Sequence, residues 1–123
     1  MIYPNILNSK IENDELFVCG LNECGQLGLD DNTNRYTPTL NSFFNNKKII
    51  RMTCGDNHCI ALIGNKNDSL IWFLLLENGE VYSWGHNYCG QLGHGDTEDR
   101  NTPTLISFFK GMKVVDISDH LFF

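Results

Sequence analysis

The sequence predicts an all-β chain: about two antiparallel blades of a β-propeller, forming an incomplete ring. Three observations predict it. First, the segment Asn22-Glu23-Cys24-Gly25-Gln26-Leu27-Gly28 returns as Asn87-Tyr88-Cys89-Gly90-Gln91-Leu92-Gly93, an offset of 65 residues. At that offset roughly twenty of about forty aligned positions are identical, which marks a tandem repeat. Second, apolar runs of about five residues are parted by turn residues every 8–12 positions, the spacing of an all-β protein. Third, a repeat of about 50 residues holding about four short strands fits a propeller blade.

The elements follow in order. Residues 1–11 hold one proline and no clean periodicity and read as a leader or as the tail of a preceding strand. The first repeat spans 12–62. Leu16-Phe17-Val18-Cys19 suits a short buried strand. Gly20, Gly25 and Gly28 mark turns, because close-set glycines allow positive φ and close backbone approach. Residues 29–37 are polar and read as a surface loop. Pro38 is confined to the start of a strand or to an edge strand, so a strand is expected over 39–44. Residues 48–54 mix β-branched and apolar side chains and suit a strand. Gly55-Asp56-Asn57 is a turn, and 58–63 is the next strand. The second repeat spans 77–123. Asn78-Gly79 favours a tight hairpin joining 72–77 to 80–84. A glycine turn, a polar loop over 95–100, and strands over 104–109 and 113–117 complete the copy.

Between the repeats, residues 63–76 form an insert with the apolar run Leu70-Ile71-Trp72-Phe73-Leu74-Leu75-Leu76. Two readings stand: an expanded hairpin with an added edge strand, or a segment foreign to the folded protein, such as translated non-coding sequence. Seven apolar residues are too few to cross a bilayer, which takes about twenty as a helix.

Composition narrows the function. The chain has 123 residues, 41% hydrophobic and 20% charged, with a net charge of −6. An acidic chain gains no counterion release on a phosphate backbone, which argues against direct nucleic-acid binding. Its surface suits a basic protein partner better. Five cysteines, an odd number, without a secretory signal indicate a reducing compartment, cytoplasm or nucleus.

At Val81-Tyr82-Ser83-Trp84-Gly85, at the two Asn-x-x-Gly-Gln-Leu-Gly turns, at Pro38 and Pro103, and at Cys54-Gly55-Asp56-Asn57-His58, the chain resembles the regulator of chromosome condensation repeat family. The resemblance covers about 12–117. It implies a seven-bladed propeller, of which this chain holds about two blades. Two blades leave apolar faces open, so the chain is expected to be a fragment or part of an assembly, completed by further blades or by self-association. By register, Asp119-His120 falls where Cys54-Gly55 stands, so the second Gly-x-x-His turn is absent.

No catalytic, cofactor or metal site is assigned. Cys54, His58 and Cys59, taken with Cys24 or Cys89, lack paired Cys-x-x-Cys spacing and read as core residues. No partner at triad-like spacing supports His58 as a base. Gly-Gln-Leu-Gly lacks the Gly-Lys-Ser/Thr ending of a phosphate loop. Trp84, equivalent to Cys19, reads as an inter-blade packing residue with its N–H satisfied. Asp31 and Arg35 recur as Asp96 and Arg100, pairs suited to brace a loop through charge-assisted hydrogen bonds. With Asn34 and Glu98 they are the candidate partner-contact residues, since loops on a rigid scaffold commonly bind.

The expected function is a protein-interaction module, part of a larger regulatory protein. The alternative that the resemblance implies is a guanine-nucleotide exchange factor for a small Ran-like GTPase, acting without binding nucleotide itself. A third reading places the repeats in a larger enzyme, such as a ubiquitin ligase, with its chemistry elsewhere.

Overall fold

The computed structural model describes residues 10–12, 15–45, 47–64 and 80–112, with Val114 and Ile117. Seven strands are present among them: β1 (Lys10–Glu12), β2 (Glu15–Gly20), β3 (Arg35–Leu40), β4 (Lys48–Cys54), β5 (His58–Gly64), β6 (Glu80–Gly85) and β7 (Arg100–Leu105). They build two open antiparallel sheets, one ordered β1-β2-β3 and the other β4-β5-β6-β7. No helix among the described residues is long and apolar enough to cross a membrane.

The four-stranded sheet does not coincide with a sequence repeat. β4 and β5 come from the first copy, β6 and β7 from the second. The two copies therefore share a continuous hydrogen-bond ladder, with Ile60 opposite Ser83 and Leu62 opposite Val81. Both edges of β6 are taken, by β5 and β7. This corrects the expected 72–77 hairpin partner for β6; residues 65–79 lie outside the described residues. Ile63 and Gly64, counted above with the insert, belong to β5.

The strands expected over 39–44 and 104–109 are also corrected. The chain joins the sheet earlier, at Arg35 and Arg100, with Pro38 and Pro103 on edge strands as proline requires. It then leaves the sheet, and Ser42–Phe44 and Ser107–Phe109 each wind into a 3-10 turn. Neighbouring residues in a strand point to opposite faces, so Phe43 and Phe44 could not both face one core. The 3-10 turn lets them do so: Phe43 meets Tyr82 edge-on at 5.3 Å and Phe44 lies 5.5 Å from Trp84. The Asn41 side chain caps the first turn, accepting the Phe43 N–H, whereas Ile106 makes no such bond.

The main core lies between the sheets. Leu16, Val18, Leu27 and Phe44 of the first copy pack on Cys59, Ala61, Tyr82 and Trp84. The opposite face of the second sheet buries Ile60, Leu62, Val81, Ile106 and Ile117, with Phe109 and Val114 against them. β5 is apolar on both faces, as a strand covered on both sides must be. The strand expected over 113–117 lies largely outside the described residues.

Candidate interaction surface

Each Asn-x-x-Gly-Gln-Leu-Gly turn is built around its asparagine. Asn22 is fully buried; its Oδ1 accepts the Leu27 N–H at 3.0 Å. Its Nδ2 donates to the carbonyls of Asp31 and Thr33 at 2.9 and 3.1 Å and to Asp31 Oδ1 at 3.0 Å. Asn87 repeats this with Leu92 at 3.1 Å, Asp96 at 3.1 and 3.0 Å, and Glu98 at 2.8 Å. Gln26 and Gln91 fold back to accept the Cys24 and Cys89 N–H groups, each at 2.9 Å. Leu27 and Leu92 drop into the core. A buried amide with every group paired fixes the loop in one shape.

The candidate contact residues lie on these two loops. Arg35 forks onto Asp31, 2.6 and 3.1 Å, and onto the Thr33 carbonyl at 2.6 Å. Arg100 forks onto Asp96, 2.8 and 3.2 Å, and onto the Glu98 carbonyl at 2.7 Å. The arginine, with help from a loop N–H, holds each aspartate below the usual carboxylate range. Asn34 Oδ1 accepts the Asn22 N–H at 2.7 Å, and Asp99 does the same for Asn87 at 2.8 Å. These side chains brace their own loops; Glu98 contributes its main chain.

The loop surface itself does the docking. In the first copy, the Gln26 carbonyl accepts the buried Trp84 indole N–H at 2.9 Å and the Cys59 thiol at 3.7 Å. Asp30 N–H donates to the Asn101 carbonyl at 2.9 Å, Thr102 Oγ1 donates to Asp30 Oδ1 at 3.1 Å, and Asn101 Nδ2 donates to Asn32 Oδ1 at 3.0 Å. Gly25 has φ +76°, and a Cβ there would stand 2.4 Å from Asn101 Cα, so the second sheet seats directly on bare backbone. In the second copy the same loop meets no sheet among the described residues: a Cβ on Gly90 finds only the Asp96 carbonyl, at 3.8 Å. Tyr88 on this turn is 75% exposed, and Phe108, on the 3-10 turn of the same copy, is 70% exposed. Tyr36 in β3 and Leu21 just after β2 are exposed too.

Cys54 and Cys59 face each other across the β4–β5 pair, and both are buried. Burial, and then the hydrogen bond with the free thiol of Cys54, raise the Cys59 thiol well above its usual range. The His58 ring lies over Gly55, whose N–H donates to the His58 carbonyl at 2.9 Å, closing the turn. A different group is brought together where the copies meet: Cys24, His86 and Asp99 place one ligand atom each within 4.8 Å of one another. Sequence spacing hid this group, because its members lie on two separate turns and a strand approach. Burial, then the Asp99 charge, raises the Cys24 thiol.

Residues 13–62 and 78–118 match the Regulator of chromosome condensation (RCC1) repeat. The chain is 34% identical over 100 residues to the Ultraviolet-B receptor UVR8 of Arabidopsis thaliana, covering 81% of this chain and 20% of the receptor. It is 38% identical over 97 residues to the human X-linked retinitis pigmentosa GTPase regulator, 79% of this chain and 8% of that protein. It is 30% identical over 108 residues to the human E3 ubiquitin-protein ligase HERC2, 85% of this chain and 2% of the ligase. The chain thus spans a small part of each of these relatives. Among solved structures, human WBSCR16 superposes with a TM-score of 0.54 at 24% identity, over 80% of this chain and 23% of that one, a likeness of fold alone.

Proposed function

Because the chain belongs to the Regulator of chromosome condensation (RCC1) repeat family, we propose that it is a protein-interaction module of propeller type, carrying no chemistry of its own and working in the cytoplasm or nucleus. One observation carries this reading. A single loop design occurs twice, consumed by a neighbouring sheet in the first copy and met by no sheet among the described residues in the second. That second loop offers the same carbonyl, amide and glycine surface, with Tyr88 exposed on it and Phe108 exposed on the 3-10 turn of the same copy. It suits a further blade or a protein presenting a sheet face with an aromatic N–H donor. The net charge of −6 favours a basic partner. Asp96, Glu98 and Arg100 form the braced rim of such a contact, and Asp31, Asn34 and Arg35 brace the equivalent loop that already carries the second sheet.

Tyr88→Asp and Phe108→Asp test it, since both side chains are exposed and their replacement spares the core. Affinity capture from cell extract is expected to lose its partner with either variant while the melting temperature holds. Capture indifferent to both changes would contradict the proposal.

A second reading is favoured by the name of one relative, a GTPase regulator. In it the module belongs to an exchange factor for a small Ran-like GTPase, lowering nucleotide affinity by the coupling that linkage demands. Labelled-nucleotide release from Ran, with and without this chain, tests it; an unchanged rate rejects it.

A further inference from the structure

We infer that Cys24, His86 and Asp99 form a divalent-cation site of the zinc type that joins the first-copy turn to the second copy. A thiolate sulfur, an imidazole nitrogen and a carboxylate oxygen are the ligand set that zinc accepts. Their donor atoms lie within 4.8 Å of one another. Tetrahedral zinc, with bonds of about 2.0–2.3 Å, draws its ligands to within about 3.3–3.8 Å, so closure asks for shifts of about an ångström in side chains at loop positions. Water fills the fourth position.

Two further observations point to a ligand here. His86 Nδ1 is buried and has no hydrogen-bond partner, although Asp99 Oδ1 stands 3.4 Å away. A buried polar atom left unpaired costs stability unless something unseen meets it. The His86 main chain is meanwhile fixed by its N–H bond to the Asn57 carbonyl at 2.7 Å, and the ring stacks flat on Tyr88. The second observation is the repeat itself. The turn needs only an amide oxygen at position 99, since Asn34 serves that purpose in the first copy at 2.7 Å. The position of His86 is filled by exposed Leu21 in the first copy. The carboxylate and the imidazole therefore exceed what the loop architecture requires, and they exceed it only where Cys24 is near.

Binding replaces the thiol proton by the metal and releases that proton to solvent. The site then ties two turns that are otherwise joined by loop hydrogen bonds, so metal raises thermal stability.

Chelator-treated, reduced protein titrated with Co2+ tests this, cobalt standing in for zinc with a thiolate-to-metal charge-transfer band in the near ultraviolet. The expected result is a band saturating at one equivalent and a melting temperature raised by several degrees with excess Zn2+. Cys24→Ser is expected to abolish the band, and Cys89→Ser, which removes the exposed equivalent thiol, to leave it intact. Asp99→Asn keeps an oxygen for the Asn87 N–H, so it folds like the parent, yet it is expected to weaken affinity at least about tenfold, the lower end for even outer-shell changes. No band, a band that survives Cys24→Ser, or parental affinity in Asp99→Asn overturns the inference.

Discussion

Phe43 and Phe108 hold the same place in the two copies, in the same Ser-Phe-Phe 3-10 turn, yet their surroundings differ. Phe43 packs on Tyr82 at 5.3 Å with Lys47 over its ring, and Phe108 is 70% exposed. The adjoining Phe44 is fully buried, while its counterpart Phe109 is only partly covered. The Thr-Pro-Thr-Leu strand end and the Ser-Phe-Phe turn are identical in the two segments, which differ at the cap, Asn41 against Ile106, and after the turn. The difference in burial is whether a second sheet is there to receive them. Local structure in this repeat is thus set within each copy, and burial is set between copies, as expected where each repeat contacts only its neighbours.

The largest expected break in that comparison is at Trp84. Trp84→Ala removes a buried indole and the N–H that holds Gln26, and is expected to cost about 3–5 kcal/mol. Phe108→Ala, on the open side, is expected to change stability by no more than about 0.5 kcal/mol. Urea unfolding of both variants measures the contrast. Next in size are the asparagine hubs, whose bonds stay within one copy. Asn22→Ala and Asn87→Ala each strand several loop donors and acceptors, and are expected to cost about 2–3 kcal/mol apiece, nearly equally. A large inequality would show that the loops depend on their neighbours for shape as well as for burial.

The smallest effect sharpens the comparison through pH. Where the first copy has Val18 in the main core and Leu29 packed against that core, the second sets Ser83 against His94, Oγ to Nε2 at 3.0 Å. Burial, with Arg100 nearby, lowers the His94 pKa, against the opposing pull of Ser83 and Asp96. Below about pH 6.5, the ordinary histidine value, the unfolded chain takes up a proton that folded His94 refuses. Stability contributed by neutral His94 is therefore present above that pH and lost as pH falls through the lowered folded value. The double variant Ser83→Val with His94→Leu, which installs the first-copy pair, is expected to flatten this part of the pH–stability curve.

Much of the fold was legible because strands here are short, apolar and punctuated. β4 and β5 follow from Lys48-Ile49-Ile50-Arg51 and His58-Cys59-Ile60-Ala61, with Gly55-Asp56-Asn57 between them. The indole of Trp84 does pack between blades with its N–H satisfied, as its place before a glycine turn suggested. The Asp–Arg pairs recurred at matching positions, and the forks onto their own loops follow from side-chain reach alone. Three things were not legible. Hydrophobic pattern alone does not tell a strand from a 3-10 turn over three residues, so the pattern at Ser42–Phe44 continues the strand that the backbone leaves. A tandem repeat has no marked starting point, so the sequence cannot say that β4 and β5 pair with the next copy. The Cys24, His86 and Asp99 group arises only when two copies dock, and no spacing within one copy records it.

The first glycine turn is a seat for the second sheet, and the second is the same seat with no sheet on it among the described residues. The most direct test is the paired unfolding free energy of Gly25→Ala and Gly90→Ala. Both positions have positive φ, +76° and +72°, so both carry a backbone strain of about 1 kcal/mol. Only at Gly25 does the new methyl meet the Asn101 backbone, at 2.4 Å. Gly25→Ala is expected to lose more stability than Gly90→Ala by about 2 kcal/mol or more. Equal losses would mean that the first-copy turn does not carry the sheet, contradicting the account.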